Sequence, residues 1–582
     1  MKALGLGILM TWVCAPAATI TVCDEAALRA AISQGGTIVF QCSGTITLTN
    51  ALVVTNDCVI DAMGQNVTLS GGNEVRVFHI TSGVEVTLLN LTIANGRWSR
   101  GAGIYNAGKL TAGNCRIINN VARAYGVETV GGGIYNVGDL LITNSLVGTN
   151  IVAGVPGPPG AHGTPAIDMV DQYGRCRTVV PPTPGGPGMD GGPASGGGLF
   201  NGGTAAVLRT IFAANDAHGG AGGDGGSGGT PAGCTGGFSP GGAAGAGGSA
   251  AGGALASTGS LVISDSLLVD NEASGGPGGR GGRGIPWGAA GGRGGEGEGG
   301  GVENRGSMVA WNVTVSGNIA RGGAGGLGSA WSLIYNLGDC PMQPNGAGGN
   351  ASGGGIAAKS TFIGFIGTNL TIWNNRVQAG AGTNALVTAT TNCPAVPGSN
   401  GMAFGASIAT VTGYMWLWNS IVGNLAVTNN VFGMYVGDHN LCSDASAVSQ
   451  GTGNLNNVDP QLSPLTDNGG PTLTHAVRPG SVAIDAARND ICPVADQRGV
   501  SRPQHGLCDI GAYEATFATL AFAVAANYRV EFEWVPLAAC RLQSSTDLIT
   551  WQPLETKVSG ADGRVSFEVP RTTRQFFRIA SP

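Results

Sequence analysis

A six-residue block recurs along the middle of this chain, and a chain with such a register must stack its copies. The block reads GAGIYN at Gly101–Asn106, GGGIYN at Gly131–Asn136 and GGGLFN at Gly196–Asn201. It returns as GGALAS from Gly252, GGGVEN from Gly299 and GGGIAA from Gly353, with a worn copy, GASIAT, from Gly405. In the first five copies a polar residue follows the apolar one by ten positions: Asn114, Asn144, Arg209, Asp265 and Asn312. Six positions further comes an asparagine each time: Asn120, Asn150, Asn215, Asn271 and Asn318. The sixth copy slips by three positions but keeps the pair as Asn369 and Asn375. Midway between the two polar positions sits an apolar residue: Ile117, Val147, Phe212, Leu268, Val315 or Ile372.

Runs such as LLITNS, LVISDS and MVAWNVTVS alternate with period two, which excludes helix. A conserved unit of about 20–25 residues is too short for a propeller blade, which needs four strands and about 40 residues. It fits one coil of a right-handed parallel β-helix. Inward residues then stack as aliphatic ladders. The recurrent asparagines Asn120, Asn150, Asn215, Asn271, Asn318 and Asn375 stack in one turn and bond the coils above and below. The amphipathic stretch DEAALRAAIS, Asp24–Ser33, is expected to cap the open N-terminal end of the stack.

Glycine makes up 105 of 582 residues, and the excess lies in insertions. These run roughly over 121–130, 151–195, 216–251, 272–298, 319–352 and 376–404, always between the recurrent asparagine and the next glycine triplet. Stacked coils must therefore display them from one edge. The stretch GVPGPPGAHGTP, Gly154–Pro165, has the triplet pattern of collagen, but four triplets do not make a triple helix. The expectation is that neighbouring insertions, aligned by the solenoid, pack as extended polyproline- or polyglycine-II-like strands. The alternative is a set of disordered loops. The segment AGGDGGSGG lacks the apolar residue and repeated Asp of calcium-binding nonapeptides.

The first residues, MKALGLGILMTWVCAPAATITV, fit a secretory signal over 1–18, with Lys2, an apolar core and Ala15-Pro16-Ala17. No later segment is long and apolar enough for a membrane helix. Export places the 12 cysteines after Cys14 in an oxidising compartment, where disulfides are expected. Spacing pairs Cys23 with Cys42 and Cys492 with Cys508. Cys176 and Cys234, and Cys340 and Cys393, are further candidate pairs in the glycine-rich segments. No Cys-x-x-Cys occurs and histidine is scarce, so no metal site or cofactor is expected. With a net charge of −6 and no basic stripe, nothing attracts nucleic acid.

The texture changes near Gly437. The pieces DPQLSPLTDNGGPT from Asp459, PGSVAIDA from Pro479, DQRG from Asp496 and CDIGAYE from Cys508 resemble the end module of bacterial choice-of-anchor Q surface proteins. The coils upstream resemble those of the same family and of polymorphic outer-membrane protein repeats, within the pectin-lyase-like β-helices. The resemblance implies a secreted or surface-displayed β-helix of a Gram-negative bacterium, and no established chemistry. The expected organisation is a β-helix with its capping helix and insertions over 19–436, a C-terminal cap over 437–515, and an immunoglobulin- or fibronectin-like β-sandwich over 516–582. In the cap, Asp496, Arg498, Arg502, Asp509 and Glu514 are expected to form a polar network over the last coil.

Lyases and glycosidases on such folds need clustered carboxylates with Arg or Lys, and the coils look poor in them. Asp61, Arg76 and His79 form the densest group, and turn or surface roles explain each. No catalytic residues are assigned. The sequence therefore favours a non-catalytic structural or adhesion role toward a surface, a matrix protein or a polysaccharide. The alternative is a carbohydrate-active enzyme or carbohydrate binder, for which Trp311, Trp373, Trp416 and Trp418 are a possible stacking strip.

Overall fold

The computed structural model describes residues 18–580, apart from 124–127, 232–237, 286, 330–343, 361–362, 384–395, 505 and short stretches of the last module (517–518, 522–526, 534–538, 547–549, 561–563 and 571–575). The repeat forms a parallel β-helix. Sheet 1 has thirteen strands, from Ala18–Ile20 to Val448–Gln450. Sheet 2 has twelve, from Gly44–Thr47 to Leu455–Asn456, and sheet 3 has ten, from Leu52–Val54 to Val431–Phe432. Two narrower sheets sit at one edge: sheet 4, from Arg97–Trp98 to Arg376–Gln378, and sheet 5, from Thr129–Val130 to Ala403–Phe404. The repeat is the register: Ile104 pairs with Ile134, Ile134 with Leu199, Leu199 with Leu255, Leu255 with Val302, and Val302 with Ile356.

Each conserved position has a geometric cause. The polar residue ten positions after the apolar one turns the chain from sheet 1 to sheet 2 with left-handed backbone: φ is 50° at Asn114, 48° at Asn144, 49° at Asp265 and 52° at Asn312. Asn and Asp tolerate that region best; Arg209, at 47°, is the exception and donates to Asn144 Oδ1 at 2.9 Å. The first glycine of each triplet turns from sheet 5 into sheet 3, with φ between 59° and 70°. The asparagine row is a continuous ladder. Asn120, Asn150, Asn215, Asn271 and Asn318 each donate Nδ2 to Oδ1 of the next, at 2.8–3.0 Å, ending on Asn375. All six are fully buried, so the ladder satisfies amides that would otherwise be stranded. A second ladder runs along sheet 3, from Asn106 to Asn136 at 2.7 Å, to Asn201 at 2.8 Å and to Ser257 Oγ at 3.1 Å.

Side-chain size falls steadily from the solenoid axis toward the edge. The axis is packed with Leu, Ile, Val and Phe. Between sheets 4 and 5 the core is Ala102, Ala122, Ala194, Ala217, Ala250 and Ala273 with Val152. Beyond them the chain is mostly glycine. Helix α1, Glu25–Gln34, is N-capped by Asp24 and buries Leu28, Ala31 and Ile32 in the solenoid core at its N-terminal end.

Three expectations are revised. First, the coils run on to Leu455–Asn456, past the boundary at 436, in a last, shorter turn of 14 residues, seen in both sheets, from Tyr435 to Ser449 and from Leu441 to Leu455. Second, residues 459–515 do not close the last coil but lie along the outer face of sheet 2. Asn312 Nδ2 donates to Ala495 O at 2.8 Å, Thr314 Oγ1 to Gln497 Oε1 at 2.6 Å and Asn369 Nδ2 to Asp509 O at 3.0 Å. With Asn419 Nδ2, which donates to Arg488 O at 3.0 Å, these corner and strand side chains on three successive coils are its anchors. Third, not all cysteines pair. Cys23–Cys42 and Cys492–Cys508 are disulfides and Cys176 is disulfide-bonded, but Cys58, Cys115, Cys442 and Cys540 are free and buried. The first three of these fill inward core positions as small apolar groups. Burial pushes the Cys58 and Cys442 thiols up to about 12 and Cys115 to about 11, which keeps them unreactive. Cys14, Cys234, Cys340 and Cys393 lie outside the described residues.

The last module pairs its described strands antiparallel in two three-stranded sheets around Val530, Phe532, Leu542 and Phe567.

Candidate interaction site: a glycine fin and its rim

The insertions form a two-layered fin. From the second onward, each leaves sheet 4 as an outgoing strand and comes back to sheet 5 as a returning strand. Outgoing strands 154–165, 219–230, 275–284, 322–329 and 380–383 make one layer; returning strands 183–193, 239–249, 287–297, 344–350 and 396–402 make the other. Contacts repeat every third residue, the period of a polyglycine-II-type strand. Gly219, Gly222, Gly225 and Gly228 donate to the next outgoing strand, at Ser274, Pro277, Arg280 and Arg283 O, 2.7–2.9 Å. Gly220, Gly223, Gly226 and Gly229 donate across to the preceding returning strand, at Gly192, Met189, Gly186 and Thr183 O, 2.7–2.9 Å. Two of every three N–H groups are thus bonded. The third faces outward, where Asp224 Oδ1 accepts from Arg280 N and Asp190 Oδ1 from Ala246 N, both at 2.7 Å.

Glycine is needed here for room, not for backbone angle, since none of these fin glycines has positive φ. A Cβ on Gly225 would lie 1.8 Å from Gly242 O, and one on Gly226 1.9 Å from Ala161 O. The number of glycines per triplet counts the neighbours. Interior strands touch both layers and read Gly-Gly-x, as in GGAGGDGGSGG at 219–229. GVPGPPGAHG at 154–163 is the edge strand of the outgoing layer, with glycine only where it meets its own returning strand, at Gly192, Met189 and Gly186 O. Its prolines sit on the side where no fin strand precedes it and no N–H is required, which closes that edge to further pairing. The collagen-like reading of these triplets therefore resolves into one strand of an intramolecular array.

The free position of each triplet forms the fin's two flat faces. Pro159, Asp224, Arg280 and Leu327 make one row across the outgoing face; Asp190, Ala246, Arg293 and Ala347 make one across the returning face. The distal rim is different. It carries an antiparallel hairpin, Ile167–Val170 with Cys176–Val180, and an exposed aromatic pair, Phe238 and Trp287. The two rings lie on adjacent coils, with centroids 6.3 Å apart and planes 20° from parallel. Backbone bonds between Ser239 and Ile285, 2.6 and 2.9 Å, lock their strands together.

The other singled-out residues fall elsewhere. Asp496 pairs with Arg498 at 2.7 Å, and Arg502 with Glu514 at 3.4 Å. Asp509 accepts from the backbone N–H of Asp485 and Ala515. The five form a buried network inside the flank module. Burial holds the Asp509 and Glu514 carboxyls above their ordinary range and the Arg502 guanidinium below its own. Asp61 and His79 stand on different sheets. Asp61 accepts from Asn90 Nδ2 at 2.7 Å, while Arg76 donates to Gly101 O and Arg100 O and lies over the Trp98 and Tyr105 rings. His79, Tyr105, Tyr135 and Phe200 form a ladder of rings along sheet 3 that spend their faces and edges on one another. Trp373 packs against the flank module, whereas Trp311, Trp416 and Trp418 stand on sheet 1, so they make no single strip.

One carboxylate cluster contradicts the impression that the coils lack any. Glu303 occupies the Tyr/Phe position of its repeat, in GEGEGGGVENRG. It pairs with Arg305 at 2.5 Å; Arg305 reaches Glu298 at 3.9 Å, and Glu298 also pairs with Lys359. Burial raises the Glu303 pKa while Arg305 opposes the rise. The signal was legible as an acidic residue where other copies carry an aromatic or alanine. Among the described residues no group of three or more His, Cys, Asp or Glu is placed to hold a metal ion.

Neither a protein-family profile nor any curated protein sequence matches the chain. Among solved structures, the Dettilon tailspike protein is similar at 12 % identity over 87 % of this chain and 74 % of that one, with a TM-score of 0.27. A likeness this low assigns no role.

Proposed function

We propose that the protein is an exported, surface-displayed adhesion scaffold of a Gram-negative bacterium, without a catalytic role, that presents its glycine fin to a surface or polysaccharide. The resemblance of 459–514 to choice-of-anchor Q end modules supports display, as do the signal-like first 18 residues and the disulfides. The observation that carries the reading is the fin itself. Roughly half of the chain's 105 glycines and a layered hydrogen-bond network are spent on holding two flat faces and a rim away from the solenoid. Enzymes on stacked coils have no need of such an element; a contact surface does.

The test is retention of the purified chain on bacterial envelopes and on a panel of acidic and neutral polysaccharides, with turnover followed in parallel. Retention without turnover supports adhesion. Depolymerisation that survives dilution overturns it. A second reading, a carbohydrate-active enzyme, draws on Glu298, Glu303, Arg305 and Lys359 as a paired-carboxylate cluster. It requires turnover that Glu303→Gln abolishes.

A further inference from the structure

Resting on the adhesion reading, we propose that the fin's distal rim is a glycan-binding site, with Phe238 and Trp287 as the stacking platform and Arg283 and Arg280 as the groups that select an acidic polysaccharide. Phe238 is 70 % exposed and Trp287 48 %, large values for aromatic rings held on a hydrogen-bonded frame. Their planes lie 20° from parallel, and unlike the half-buried stacked pair Tyr135 and Phe200 both rings are exposed. The pair is preorganised. The Ser239–Ile285 bridge, the bond from Gly241 N to Trp287 O at 3.2 Å and the bond from Ser239 Oγ to Thr183 O at 2.6 Å fix both strands, so little order is lost on binding.

Chemistry selects the occupant. Two rings offer about 150–250 Å² each, well under the roughly 800 Å² per partner of a stable protein interface. That area suits the apolar face of a pyranose and is too small to seat a second copy of this chain. Arg283 stands four residues before Trp287 in the sequence, and a Cβ on the intervening Gly284 would lie 2.3 Å from Trp287 O. Arg280 is one triplet closer to the solenoid, and both arginines are exposed. The described ion pairs of the fin and its root, Arg293–Glu296, Arg321–Glu272 and His218–Asp216, leave both out. In a chain of net charge −6, two exposed arginines on the strand that leads to Trp287, outside the described ion pairs, are a local provision for carboxylates.

The probe is polygalacturonate, with dextran as neutral control and anionic lipid vesicles as a different class of partner. The full chain is expected to bind polygalacturonate and not dextran. Trp287→Ala and Phe238→Ala should each weaken binding about tenfold, with Trp287→Phe restoring most of it. Arg283→Gln should weaken binding and flatten its salt dependence. Unchanged hydrogen exchange over the fin shows that a variant still folds. Polygalacturonate binding that ignores both ring variants overturns the site and leaves adhesion standing. Retention on vesicles alone, insensitive to the rings, also overturns it. No retention on any surface overturns the adhesion reading together with it.

Discussion

The solenoid and the fin are stacked by the same coils yet packed by opposite means. The solenoid fills its interior with side chains, and Phe212, Ile117, Val147 and Leu268 succeed one another in an inward row with no exposure. The fin removes side chains until backbones touch, and N–H···O bonds take over as cohesion. The two differ in self-sufficiency. Apolar burial contributes about 25 cal/mol per Å². A fin triplet gains two hydrogen bonds, each worth about 0.5–1.5 kcal/mol net, against about 1–2 kcal/mol to fix each residue, and glycine loses most. The fin therefore depends on the solenoid to align its strands, while the solenoid does not depend on the fin. The alanine layer between sheets 4 and 5 is where one mode hands over to the other.

That asymmetry can be broken from either side. The largest effect is expected from Phe212→Ala, which opens a cavity at the axis and should cost about 3–5 kcal/mol in denaturant unfolding, with fin protection lost in the same transition. Gly226→Ala should do the converse. With its Cβ 1.9 Å from Ala161 O, it should abolish slow hydrogen exchange in the neighbouring fin strands and leave the solenoid's unfolding midpoint nearly unmoved. A joint loss would show that the two are one cooperative unit. Asn215→Ala is intermediate. It removes the shared acceptor of the Asn150 Nδ2 and backbone N–H and the side-chain donor to Asn271 Oδ1 and Val147 O, and should cost about 1–3 kcal/mol. The loss should appear in solenoid stability and at the adjoining root of the fin.

The smallest effect concerns the response of the flank module to acid. His475 bonds Ser316 Oγ at 2.9 Å and Ser463 O at 2.8 Å, and burial holds its pKa below 6.5. A histidine depressed in the folded state contributes stability that is complete above 6.5 and lost as pH falls through the folded pKa. The buried carboxyls of Asp509 and Glu514 act in the opposite sense, since their raised pKa values favour the folded state as pH falls. Thermal unfolding between pH 7.5 and 5, with His475→Gln as comparator, isolates the histidine. The wild type should lose more on acidification than the variant, and an identical profile would remove His475 from the interface account.

Much of this was legible because the repeat encodes contacts directly. The left-handed corner at Asn114 and its counterparts, the ladder from Asn120 to Asn375 and the edge that carries the insertions all follow from spacing alone. The fin's order was legible too, in the contrast between Gly-Gly-x and Gly-x-x strands, once glycines are counted as neighbours. What spacing does not carry is lateral docking. The motifs at Asp496 and Cys508 mark a module without saying that it lies along sheet 2, because its partners, the corner residues Asn312 and Asn369 and the strand residue Thr314, are explained by the coils alone. The free cysteines escaped for a similar reason: Cys58 and Cys115 occupy core positions that valine or alanine would fill as well. The Phe238–Trp287 pair joins two insertions of different length, and only the strand register brings the rings together.

The central claim is that the glycine fin is an ordered, hydrogen-bonded array. Hydrogen–deuterium exchange followed by mass spectrometry on peptides from 216–298 tests it most directly. The structure predicts strong protection for about two of every three amides in 219–229, 241–248 and 275–282, comparable to the flanking coil strands. Exchange at the rate of an unstructured chain throughout these strands, beside a protected solenoid, would contradict it.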